Sequence, residues 1–103
     1  MIRPIALAAL ALGLAAPALA DDVPPDLAES RLRGCLLAGA TSPGQTQLAA
    51  KVIEVRAFCG AQIKRVREHR MAAAAGPDAK AAVARKLDAE IAHAVANFSG
   101  FSS

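Results

Sequence analysis

The sequence predicts an all-α protein: a small three-helix bundle that follows an N-terminal signal peptide and is stapled by one disulfide. Three observations lead there. Apolar residues recur at i, i+4, i+7 spacing in three successive segments, which is the period of a helix with one buried face. Glycine and proline punctuate the chain at residues 39–44 and again at Gly76 and Pro77. The two cysteines, Cys35 and Cys59, fall on the apolar stripes of the first and second segments.

The leader comes first. Arg3 supplies a positive head, residues 5–16 an unbroken apolar run, and Ala18-Leu19-Ala20 a small-x-small end before the acidic Asp21 and Asp22. This is the layout of a secretory signal peptide, with cleavage expected between Ala20 and Asp21. The apolar run is shorter than the roughly 20 residues of a spanning helix, and Gly13 and Pro17 interrupt it. A lipoprotein needs a cysteine as its first mature residue, and Asp21 stands there instead. The expected address is therefore the periplasm or the exterior. The domain plan is a signal peptide over 1–20, a helical domain over 21–98 and a frayed tail over 99–103.

Removing the leader changes the composition. The mature chain has 83 residues, and loss of Arg3 lowers the formal net charge from +3 to +2. That is too little charge for a nucleic-acid protein, and three phenylalanines without Trp or Tyr offer little for base stacking. Much of the 54% hydrophobic content is alanine, so the core is thin and a staple is expected.

The first helix is expected over 27–39, with Asp26 as an acidic cap and Glu29 closing a capping box. Its stripe is Ala28, Leu32, Cys35, Leu36 and Gly39, and Gly39 with the Thr41-Ser42-Pro43-Gly44 run should end it. The second helix, over 46–75, carries Leu48, Val52, Val55, Cys59, Ile63 and Val66, with a bend allowed at Gly60. The third, over 77–98, carries Val83, Leu87, Ile91, Ala94 and Phe98.

In an oxidising compartment Cys35 and Cys59 read as an internal disulfide, with an intermolecular bridge or free thiols as the alternatives. Their spacing matches neither a CxxC redox pair nor a CxxCH haem site. The pairing also constrains the fold. If the second helix began at Pro43, Cys59 would lie about 24 Å from its start, beyond the reach of a tight hairpin. A start at Thr46 or Gln47 after an extended 39–46 link relieves this.

Candidate sites are few. Lys64, Arg65, Arg67 and Arg70 form the most charged stretch, a candidate contact for anionic lipid or an acidic partner, though on a helical wheel they scatter around the circumference. His69 and His93 lie too far apart to share a metal. Lys86 and Glu90 read as an ordinary i,i+4 pair. The sequence carries no HExxH, GxSxG or phosphate-binding glycine loop. The expectation is a non-enzymatic exported module without cofactor or metal that binds a protein of the cell envelope. A weak membrane-surface contact through the basic stretch is the alternative, and a metal or haem carrier is the last choice.

Overall fold

The computed structural model describes residues 23–102. The signal peptide, its Ala20–Asp21 cleavage point and the last residue lie outside the described residues. The described residues are all helical, but in four helices instead of three: α1 Pro25–Thr41, α2 Leu48–Phe58, α3 Gly60–Ala72 and α4 Gly76–Ser99. Each helix packs against every other, so all four share one core.

The second expected helix divides at Cys59, whose φ of −101° and ψ of 18° leave helical geometry. Hydrogen bonds continue on both sides of it: Cys59 N–H donates to Val55 at 2.8 Å and Ile63 N–H to Cys59 at 2.9 Å. The result is a bent rod. The bend lets Val55 and Ile63 keep facing the core while Cys59 reaches α1, where it is bonded to Cys35 with the Cα atoms 5.9 Å apart. The rod ends at Ala72, three residues before the expected 75.

At the start of α1 the capping box does not form. Pro24 is the N-cap, no side chain caps the helix, and Asp26 lies in the first turn. Proline has the φ of a first helical turn already and lacks the N–H that would need a partner there. Glu29 is drawn away to Arg70. Nor does Gly39 end the helix. It is buried where α1 meets α2, and a Cβ there would lie 3.2 Å from the Phe58 ring and 3.3 Å from the Val55 methyls. The end comes at Thr41, where the Thr41 hydroxyl donates to Leu37 at 2.7 Å and that of Ser42 to Ala38 at 2.6 Å. These bonds satisfy carbonyls that the last turn leaves open.

An extended link, 42–47, carries the chain to α2, as the staple requires. Lys51 fixes it from below. Its side chain is 1% exposed, and its ammonium donates to the Ser42 carbonyl and to Glu54 Oε1, both at 2.7 Å. Glu54 Oε2 in turn accepts from Gln45 N–H at 3.3 Å. The core itself follows the expected stripes: Ala28, Leu32 and Leu36 from α1, Val55, Cys59, Ile63 and Val66 from the rod, Leu87 and Ile91 from α4. Val95 joins it fully buried, with Ala94 and Phe98 packed at its edge. Gly100, with φ of 77°, closes α4 in the left-handed conformation that glycine adopts at little cost.

Candidate functional site

The basic stretch of the sequence lies on α3, and the fold separates its four cations. Arg70 turns toward α1 and α4. Its guanidinium meets Glu29 through two bonds, of 2.8 and 2.7 Å, and Glu90 through bonds of 2.8 and 3.3 Å. Hydrogen bonds donated to both carboxylates raise the Arg70 pKa further, and the same bonding holds Glu29 below its ordinary value despite some desolvation. Three helices are thereby tied at one charged knot. Arg67 approaches Asp88 at 3.9 Å, beside the closer Arg56–Asp88 pair at 3.1 Å. Lys64 is exposed and Arg65 half-buried, and neither has an ion-pair partner among the described residues.

Glu90 therefore pairs across helices with Arg70 and not along α4 with Lys86. His69 donates its Nε2–H to the Val23 carbonyl at 2.8 Å, pinning the start of the described chain onto α3. His93 borders a furrow of about 330 Å³ between α1 and α4. Leu32, Leu36, Leu87 and Ile91 form its floor, with Arg33 and Asn97 among the residues of its rim. Those four floor residues are each 5% exposed or less, so the furrow offers a ligand little apolar area. Among the described residues no three of His, Cys, Asp and Glu gather as a metal site.

The surface that stands out is one the stripe pattern did not single out. From Leu48 to Ala61 the exposed residues are all apolar: Ala49, Ile53, Ala57, Phe58, Gly60 and Ala61. Ile53 is 70% and Phe58 65% exposed. The three charged residues of α2 are each tied to a partner within the chain. Lys51 is buried, while Glu54 and Arg56 are half-buried and held by Lys51 and Asp88. The outward sides of α3 and α4, by contrast, display Lys64, Glu68, Lys80, Arg85 and Lys86.

A sequence signal for this face was present. Ile53, Ala57 and Phe58 lie off the buried stripe, in a stretch where only Lys51, Glu54 and Arg56 are charged. The missing information was where those three side chains go. No helix among the described residues is long and apolar enough to cross a membrane. Family models, curated proteins and solved structures were compared with the chain, and none matches.

Proposed function

We propose that this is a small exported protein, without enzymatic activity, that binds another protein through the outer face of α2. The observation that carries the reading is the run of exposed apolar residues from Ala49 to Ala61, with Ile53 70% exposed and the charges of α2 paired within the chain. Monomeric proteins seldom leave contiguous apolar patches larger than a few hundred Å² unless something binds there. Export is supported by the leader pattern of residues 1–20 and by the Cys35–Cys59 bridge, since disulfides persist in oxidising compartments.

The alternative, an anionic-membrane contact through Lys64, Arg65, Arg67 and Arg70, has a weaker footing. Arg70 and Arg67 already face carboxylates of the same chain. The apolar face beside them is mostly alanine, which contributes little insertion energy at about 25 cal/mol per Å².

Affinity purification from the cell envelope separates these readings. The wild-type chain and a control variant, Arg85→Glu on α4, are expected to retain a stoichiometric partner that Ile53→Lys loses. Retention by Ile53→Lys, or no partner with any form, overturns the proposal. Salt-sensitive sedimentation of the chain with anionic vesicles, weakened by Lys64→Gln and Arg65→Gln but not by Ile53→Lys, supports the alternative.

A further inference from the structure

We propose that the 42–47 link is a clasp that acid opens, held shut by the Glu54 carboxylate and the buried Lys51 ammonium. The clasp depends on contacts of the link itself and stands whether or not a partner binds α2.

Every residue of the link is exposed, yet it is tied to a charge that is not. The Lys51 side chain is 1% exposed, and Glu54 is its one ion-pair partner among the described residues. Its ammonium joins the two sides of the clasp, donating to the Ser42 carbonyl and to Glu54 Oε1. Glu54 holds the next part of the link, since its Oε2 accepts from Gln45 N–H at 3.3 Å. Both side-chain hydrogen bonds from α2 to the link thus come from these two residues. Between them Gly44 runs against the carboxylate, where a Cβ would lie within 2.8 Å of all three carboxyl atoms.

Charge makes this arrangement sensitive to acid. A buried cation is tolerated when a counter-charge and hydrogen bonds compensate it, and removing one partner leaves it uncompensated. Protonating Glu54 does that to Lys51. An amine in acid cannot escape the burial by losing its proton, so its remaining relief is to turn outward into water. Turning outward breaks its bond to the Ser42 carbonyl, while a neutral carboxyl holds Gln45 N–H more weakly. Nothing else nearby can take over. Lys51 is the one charged group of the described residues that acts on this carboxyl. Glu54 borders a hollow of about 170 Å³ lined by Gly39 of α1, Ser42 and Pro43 of the link, and Val55 and Phe58 of α2; α3 and α4 contribute no residue to it. The hydrogen bond from Lys51 holds the Glu54 carboxyl below its ordinary value of 4.5. The clasp is therefore shut above about pH 4.5 and released as pH falls through the depressed folded value. Its opening takes Ser42 and Pro43 away from the hollow and uncovers Gly39 and Val55.

Nuclear magnetic resonance of the disulfide-bonded chain between about pH 6 and about pH 3 tests the clasp. The amide signals of Gly44, Gln45 and Thr46 are expected to move together with a midpoint below about pH 4.5. Their heteronuclear NOE should fall in the same step, while Leu87 and Ile91 of α4 keep theirs. Glu54→Gln retains the shape of the side chain and removes its charge, so its link should already be open at about pH 6. At neutral pH an amine-acylating reagent should then modify Lys51 roughly tenfold faster in Glu54→Gln than in the wild-type chain, as read by mass spectrometry. Link amides that shift without a fall in the NOE overturn the proposal, because the carboxyl then titrates inside a closed clasp. Loss of the α4 signals in the same step overturns it as well, since acid then unfolds the chain as a whole. So does a folded Glu54→Gln variant whose link and Lys51 behave as in the wild type. If that variant fails to fold, the wild-type titration decides alone.

Discussion

Ile53 and Ile63 stand ten residues apart on one bent rod, and the fold treats them oppositely. Ile63 is 4% exposed, packed in the core beside Val66; Ile53 is 70% exposed on the outside of α2. Below the bend, α3 has the ordinary division of a surface helix, with Ile63 and Val66 inside and Lys64 and Glu68 outside. Above it, α2 buries its lysine and shows its isoleucine. The inversion shows that burial within this chain accounts for Ile63 and not for Ile53.

The comparison fails if the two isoleucines prove energetically alike. Ile63→Ala is expected to destabilise the fold by about 2–5 kcal/mol, the range for emptying a core site. Ile53→Ala should stay within about 0.5 kcal/mol, as surface changes do. Urea unfolding of both variants checks this. A large loss for Ile53→Ala would mean that its side chain is covered within the chain.

The staple comes next, because it draws the bend of the rod to α1. Replacing Cys35 and Cys59 with serine should cost roughly 3 kcal/mol, the chain-entropy value for a loop of this length. Amide exchange is then expected to rise around Cys59 and in the 42–47 link more than in α4. Uniform acceleration would show that the bridge stabilises the fold without organising the bend.

Lys51 tests how α2 keeps charge off its outer face. Lys51→Met retains the buried stem and removes the donor to Ser42 and Glu54. Two charge-assisted bonds that anchor the 42–47 link are lost, so the melting temperature should drop by about 5–10 °C. If stability is unchanged, the link is held by other means and the burial of Lys51 is incidental.

The charged knot on the α3 side gives a pH dependence with a definite sign. Arg70 holds the folded-state Glu29 carboxyl below its ordinary value of 4.5. The stabilisation is fully present above about pH 4.5 and is lost as pH falls through the depressed folded value. Glu29 is 42% exposed, so solvent screening limits the effect to no more than about 1 kcal/mol. Arg70→Gln should therefore destabilise the protein more at pH 6 than at pH 3. Equal losses at both would assign the role of Arg70 to packing.

These sites differ in how far the sequence foretells them. The all-helical class, the buried stripes and the Cys35–Cys59 pairing were legible, because periodicity and the cysteine count are local or global properties of the string. The fourth helix was not, since Cys59 leaves helical geometry to meet a residue 24 positions away. Arg70 is likewise paired with Glu29 from 41 positions away, which converts an apparent surface cation into part of a helix-crossing knot. The α2 face was half legible. Ile53 and Phe58 stood visibly off the stripe, but only the structure shows that Lys51 turns inward and that Glu54 and Arg56 are paired.

Gly60 supplies the smallest expected effect and bears directly on the bend. A Cβ at Gly60 meets nothing within 4 Å, and its backbone needs no left-handed conformation. Glycine there is thus required by neither space nor dihedral angles. Gly60→Ala should stabilise the fold by about 0.4–1 kcal/mol, mainly by restricting the unfolded chain. If it does, the bend belongs to Cys59 and its tie to α1, and α2 and α3 diverge because the staple divides them. If Gly60→Ala destabilises the protein instead, the rod needs glycine at its bend. The small residue at the end of the apolar face would then serve the fold.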